Sequence, residues 1–321
     1  MTIPFSTTDL GPGRSRRHVP ITTLASGFEL GLTIHTIEGA HAGPTVGVSG
    51  MIHGDELEGL LIARQLERTL DPATIHGSVW LLAVANPLAM EGISRNTPVD
   101  MLDMNRLFPG VNDGWLSEQQ AHAIAHGFID HLDVLIDIHA GGTFPWVDYC
   151  YVVNDEGLSR AFLPALLYKP ATPYPNTTVS YAASRDVRCM VVEIGGGYRD
   201  QDLHVRNGVR GVLNQLRYVG VLKGEVERRA GQVLMTEMKV MRPRMGGICV
   251  PRQMLAPGQL LPADTALADI VSPYSFETLE TMTAPFDRNI VVLCRNYATR
   301  IHPGDYGFMI GNAASAATYA D

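Results

Sequence analysis

The chain has 321 residues, and its 25 Lys and Arg against 33 Asp and Glu give a formal charge of −8; 45% of residues are apolar and 18% are charged. That apolar fraction excludes a disordered chain, and the negative balance lacks the surplus of Lys and Arg that binding nucleic-acid phosphates requires. The length fits one large α/β domain with an appendage, or two domains.

The N-terminus carries no apolar signal core, and the basic patch Arg14, Arg16, Arg17 reads as a solvated arm. From about Pro44 to Val221, strand and helix patterns alternate. Thr45–Ser49 is a short β-rich run, and Glu56–Leu70 has helical apolar spacing. Ser78–Ala85 is a near-continuous apolar strand, and Ser117 is placed to cap a helix running to His131. Asp133–Ile138 and Arg188–Ile194 are further buried strands, each followed by glycines. Tyr149–Val153 reads as a strand, Leu158–Tyr168 as a helix and Gln201–Val221 as a long helix. Buried strands alternating with helices predict an α/β fold, a mostly parallel mixed sheet with helices on both faces. Beyond Gly224–Gly231 only short β-like runs punctuated by Gly and Pro remain. The expected division is therefore a catalytic domain over residues 1–225 and a small all-β domain, a sandwich or barrel, over 226–321. No apolar stretch approaches the roughly 20 residues of a membrane span, so no membrane partner is expected. Four scattered cysteines, Cys150, Cys189, Cys249 and Cys294, form no close pair and read as reduced thiols of a cytoplasmic protein.

Three strand ends carry chemistry. In Ser49-Gly50-Met51-Ile52-His53-Gly54-Asp55-Glu56, His53 and Glu56 stand three apart across a tight turn, where an imidazole and a carboxylate can face one point. Such a pair alone more often marks a surface turn whose Glu complements a helix dipole. Leu135-Ile136-Asp137-Ile138-His139 places a second histidine at the same kind of strand end. Two His and one Glu make the three-ligand set of a catalytic zinc site, at the strand carboxyl ends where open α/β sheets bind ligands. Val191-Val192-Glu193-Ile194 adds a carboxylate among apolar neighbours, whose desolvation raises its pKa and suits it to proton transfer. Arg95 and Arg106, after the strand Ser78–Ala85, offer guanidinium groups for a carboxylate or an oxyanion.

Taken together, His53-x-x-Glu56, Asn86-Pro87, Arg95, Asp103-x-Asn105-Arg106, His139 and Glu193 resemble the succinylglutamate desuccinylase/aspartoacylase family of the zinc carboxypeptidase-like superfamily. The likeness spans about residues 44–200. His-Gly-Asp-Glu, and Phe-Pro-Gly after Asn-Arg, are similar to the N-acetyl-diaminobutyrate deacetylase branch. Where many such sequences carry Ser after the second His, this chain has Ala140. The β-rich tail, with Thr283-Ala284-Pro285 and Val291–Leu293, resembles the C-terminal part of bacterial members.

The resemblance implies one Zn²⁺ per chain on His53, Glu56 and His139. Glu193 would move the proton of the attacking water, Arg95 would polarise the amide carbonyl, Asn105 and Arg106 would hold a substrate carboxylate, and Asp103 would orient His53. The implied activity is a zinc-dependent deacylase cleaving the amide of a small N-acylated amino acid. A metallo-carboxypeptidase acting on short peptides and a non-catalytic metal or small-molecule binder are the alternatives. A homodimer is the expected assembly. Met238-Lys239-Val240 faintly resembles a lipoyl or biotin attachment hairpin, but Ser275–Thr283 has no Lys to match, so Lys239 reads as a solvated strand residue on an unmodified lipoyl-like fold. That fold would wall the site or support oligomerisation. His122, His126 and His131 read as a polar helix face. Trp115, Trp146, Tyr149 and Tyr198 are candidates either for the pocket wall or for the core.

Overall fold

The computed structural model describes residues 3–197 and 200–320. The chain opens with strands β1 (Ser6–Asp9), β2 (Arg14–Thr23) and β3 (Glu29–Glu38), then β4 (His41–Gly50) and helix α1 (Glu58–Thr69). The expected solvated arm is in fact strand β2. Arg14 donates to the carbonyls of Glu67 and Leu70, while Arg17 lies 4.0 Å above the Trp80 ring and pairs with Glu38. A guanidinium on an apolar stem can thus cover core surface while its charge stays paired.

Strand β5 (His76–Leu82) precedes the short helix α2 (Pro87–Gly92), helix α3 (Leu116–Gly127) and strand β6 (Val134–His139). Helix α3 starts one residue before Ser117, because Glu118 accepts the Trp115 N–H at 2.7 Å and Ser117 binds Asp100 instead. Next come β7 (Trp146–Val152), α4 (Glu156–Ala161), β8 (Leu166–Tyr168), α5 (Thr178–Ser184), β9 (Arg188–Gly195) and α6 (Gln201–Tyr218). The helix expected over Leu158–Tyr168 stops at Ala161. Leu163 adopts φ 66° and Pro164 has no N–H to give, so the chain leaves the helix and re-enters a sheet as β8.

The sheet runs β1-β2-β3-β5-β4-β6-β9-β7 along its main path and is parallel at its centre, where β5, β4, β6 and β9 pair in register. All six residues of β6 are buried. Val134, Ile136 and Ile138 face one core with Ile62 and Leu66 of α1 and Val212 and Leu216 of α6. Leu135 faces the other core with Phe128, Ile124 of α3 and Val179 of α5. Period-two alternation therefore fills both faces of the sheet. Because β5 and β6 flank β4 on opposite sides, a topological switch point lies at its carboxyl end.

After α6, the described residues form strands and one 3₁₀ turn. Strands β10 (Val233–Met235), β11 (Met238–Met241), β12 (Gly247–Pro251) and β13 (Leu260–Pro262) come first. They are followed by β14 (Ala266–Val271), β15 (Thr278–Thr283), β16 (Arg288–Cys294), β17 (Thr299–Ile301), β18 (Phe308–Asn312) and β19 (Ala316–Thr318). Strands β15-β14-β12-β17 make a separate antiparallel sheet, while β16, β18 and β11 extend the main sheet beyond β7 and β10 pairs in parallel with β8. Lys239 is exposed on β11 opposite Ile310. The four cysteines are buried, and none forms a disulfide among the described residues. No helix among the described residues is long and apolar enough to cross a membrane.

Candidate metal centre and cleft

His53 sits in the turn between β4 and α1. Met51, with φ 53°, turns the chain, and Gly54 then passes so close to α2 that an added Cβ would fall 1.9 Å from the Ala89 carbonyl carbon. Buried Asn86 secures that neighbour. Its side chain accepts the Ala89 N–H at 3.1 Å, capping α2, and donates to Thr97 at 2.9 Å.

His139 ends β6 and Glu193 lies opposite it on β9, with Tyr149 of β7 opposite Glu193. Residues in register share a face, so His139, Glu193 and Tyr149 converge on one side of the sheet, and Asp137, two residues before His139, shares that face.

Glu56 is buried between the two histidines. Its carboxylate lies 2.8 Å from His53 Nδ1 and 2.9 Å from His139 Nδ1, and it accepts the Ala140 N–H at 3.1 Å. One ligand atom from each of His53, Glu56 and His139 falls within 4.8 Å of the others, so these three could hold a metal ion. The outer imidazole nitrogens are also engaged: His53 Nε2 lies 3.3 Å from Asp103 Oδ1 and His139 Nε2 lies 3.2 Å from Asp137 Oδ2. A carboxylate on the far nitrogen orients each imidazole with Nδ1 toward Glu56, an arrangement that suits a zinc-type site once Nδ1 has lost its proton.

Asp137 is the participant that the sequence reading overlooked. It accepts from Ser49 at 2.6 Å and, more closely, from Thr178 at the start of α5. A signal was present: an Asp buried in an apolar strand needs a partner, and the i to i+2 spacing of Asp137 and His139 puts both on one face.

Arg95 binds Asp103 through Nη2 at 2.9 Å and approaches His53 Nδ1 at 3.4 Å. The Asn105 amide reaches His139 Nε2 at 3.3 Å, and its carbonyl oxygen accepts the Thr178 N–H at 3.0 Å. Arg106 is exposed, donates to the Asn105 carbonyl and lies 5.8 Å from the Tyr174 ring.

Electrostatics separate the carboxylates. Burial alone raises Glu56, but His53 and His139 hold it far below the usual carboxylate range. Burial alone lowers His139, yet Asp137 and Glu56 raise it well above the ordinary histidine value. Glu193 is pushed up to about 8, first by burial and then by the charges of Glu56 and Asp137, against the opposing pull of His139 and Arg95.

His53, Glu56, Arg95, Asn105, Arg106, His139, Tyr149 and Glu193 line one cleft of about 730 Å³, whose far wall is formed by Leu293, Arg295, Arg300, His302, Asp305, Tyr306 and Met309. Of the aromatic candidates, Tyr149 lines the cleft and Trp146 packs against His204. Trp115 is 69% exposed, and Tyr198 lies outside the described residues. His122 and His126 of α3 meet edge to face with ring centroids 4.4 Å apart, and His126 is bound to Asp130.

Comparison with known proteins matches the same region. The succinylglutamate desuccinylase/aspartoacylase catalytic domain matches residues 42–219. The N-alpha-acetyl-L-2,4-diaminobutyric acid deacetylase of Halomonas elongata is 29% identical over 198 residues, 58% of this chain and 57% of that protein. The match thus spans little more than half of that relative. Among solved structures, a succinylglutamate desuccinylase from a Silicibacter species superposes with a TM-score of 0.83 at 21% identity, covering 97% of this chain and 99% of that one. The product-bound ectoine utilization protein EutE (DoeB) of Ruegeria pomeroyi gives 0.83 at 20% identity, covering 98% and 100%. At these identities the structural likeness carries the fold.

Proposed function

Since the chain belongs to the succinylglutamate desuccinylase/aspartoacylase family, we propose that it is a zinc-dependent hydrolase that cleaves the amide bond of a small N-acylated amino acid. The observation that carries this reading is the buried His53–Glu56–His139 cluster with Glu193 in strand register beside it, in one cleft. In this reading His53, Glu56 and His139 hold the ion. Zinc, when bound there, supplies Lewis-acid polarisation of a carbonyl and a lowered pKa for water.

Glu193 accepts the proton of the attacking water and delivers it to the leaving amine nitrogen. Its desolvation among apolar neighbours keeps its proton affinity near neutrality, which matches that shuttle. Arg95, held in place by Asp103, presents its guanidinium to the amide carbonyl oxygen, where negative charge develops. Asp103 and Asp137 position the two imidazoles. Asn105, held by the Thr178 N–H, borders the cleft, and Arg106 draws the substrate carboxylate inward. The strands after residue 225 belong to the same proposal as the part of the chain that closes the cleft from the far side.

The test is hydrolysis of a panel of N-acetyl, N-succinyl and N-formyl amino acids and short peptides, with metal analysis of protein purified without chelator. N-α-acetyl-L-2,4-diaminobutyrate is the first compound to try, since the matched relative is named for it. Stoichiometric zinc and chelator-sensitive release of an acyl group are expected. Turnover of peptides alone, or none with zinc supplied, would overturn the reading. The acid limb of kcat/KM should follow Glu193: activity falls as pH drops through its pKa, because the protonated carboxyl no longer accepts the water proton.

A further inference from the structure

We propose that the acyl group of the substrate lies against the loop over residues 141–145, and that Asp55 sets acyl selectivity by pinning that loop. This subsite deepens the deacylase reading above and rests on it.

The two faces of the sheet give the direction. Asn105 and Arg106 border the cleft on the side of α5, where Asn105 accepts the Thr178 N–H and the Asn176 carbonyl accepts the Phe108 N–H. Asp55 borders it on the opposite side, in the turn that leads from His53 into α1. In a trans amide the α-carbon and the acyl carbon leave the planar unit at opposite ends. With the carboxylate at Arg106 and the amide at Arg95 and Glu193, the acyl chain therefore extends toward α1.

A fixed wall stands there. Thr143 donates twice to Asp55 Oδ2, from its N–H at 3.1 Å and from its hydroxyl at 3.3 Å. Gly142, with φ 68°, passes so close that an added Cβ would fall 2.4 Å from the same oxygen. On its other side the loop is clamped to the turn after β9. Gly141 donates to the Gly195 carbonyl at 3.3 Å, and Gly197 donates to the Gly142 carbonyl at 3.0 Å. Glu58 in turn accepts the Gly196 N–H at 3.1 Å. Both loops are thus tied to the start of α1, the segment that also carries Glu56. Residues 141–145 all line the cleft, and the Phe144 ring lies 5.7 Å from the Arg295 guanidinium on the far wall. A wall selects by size only if it resists displacement, and a connecting loop does so only when its own groups are bonded in place. Asp55 supplies that bond as a charge-assisted acceptor for both donors of Thr143.

The experiment measures kcat/KM for the N-formyl, N-acetyl, N-propionyl and N-butyryl forms of one amino acid, and for the N-acetyl forms of several amino acids. Wild type, Asp55→Ala and Asp55→Asn are compared, with zinc content measured for each because Asp55 precedes Glu56. Wild type should separate acyl groups one methylene apart by about 10- to 100-fold. D55A, which frees Thr143, should compress that spread to a few-fold and leave the ranking of amino acids unchanged. D55N, whose amide oxygen still accepts the Thr143 N–H, should keep most of the spread. A wild type that hydrolyses all four acyl forms equally overturns the subsite. So does a zinc-loaded D55A that keeps the full spread, or that changes the ranking of amino acids instead. If D55N loses the spread as completely as D55A, charge rather than the tether sets selectivity, and the pinning role falls. If D55A does not fold or does not bind zinc, Phe144→Ala carries the readout: it should favour the longer acyl groups, and an unchanged spread there overturns the proposal. A wild type that hydrolyses none of these compounds overturns the deacylase reading itself, an outcome distinct from failure at Asp55.

Discussion

Glu193, half-buried at the cleft, and Asp137, fully buried behind it, are two carboxylates with opposite duties. Burial holds Glu193 up at about 8, whereas Asp137, next to His139 and two hydroxyl donors, is held below its ordinary value although burial opposes this. Glu193→Gln should lower kcat by about 10³-fold, within the range of a lost general base, while zinc content is unchanged by metal analysis. The same change should stabilise the metal-free protein at pH 8. A carboxyl whose folded pKa is raised favours folding below its unfolded pKa, near 4, and that advantage is lost as pH rises through about 8. Melting temperatures of metal-free wild type and E193Q should therefore diverge from about pH 4 upward, with the variant the higher. Asp137→Asn leaves the three ligands in place but removes the charge on His139 Nε2. Zinc affinity should fall about 10- to 100-fold in a chelator competition assay; an unchanged affinity would separate Asp137 from the metal.

At the scale of elements, the turn from β4 to α1 and helix α2 act as one unit. Gly50 and Met51 carbonyls accept the N–H groups of Ala85 and Asn86, and Gly54 donates to Ser94 at 2.8 Å. These bonds join the His53 turn to the loop that carries Arg95. Gly54→Ala must push α2 away, since its Cβ would overlap the Ala89 carbonyl. Backbone displacement of this kind costs about 1–3 kcal/mol, so a lowered melting temperature is expected. Zinc binding should fall with it, because His53 is the preceding residue. Element periodicity was readable from the chain for β4, β6, β9 and α6, whose apolar spacing matches their burial. It failed for Leu158–Tyr168, where Pro164 and pairing with β7 and β10 overrode the helical pattern. It also passed over α2 and α5, short helices that hold their places through side-chain caps at Asn86 and Thr177.

At the scale of the whole molecule, the strands after residue 225 continue the main sheet through β16 and β10 and supply one wall of the cleft. A chain ending at residue 225 would leave β7 and β8 as open edges. Such a truncation should aggregate, by size-exclusion chromatography, and show no amide hydrolysis; a soluble and active fragment would contradict the proposed role of the far wall. The sequence by itself determined the strand-end histidines, the carboxylates and the alternating α/β pattern. Those features are local: a period of two or 3.6 residues and a short turn decide them, and the residue types needed for metal and proton chemistry stand out against apolar neighbours. Only the tertiary structure decided that Asp137 stands behind His139, that Asn105 is held by Thr178, and that Asp55 bonds to Thr143 in the loop over residues 141–145. Each of these depends on strand register or on contact between segments far apart in the chain, and no spacing along a single segment encodes such a contact.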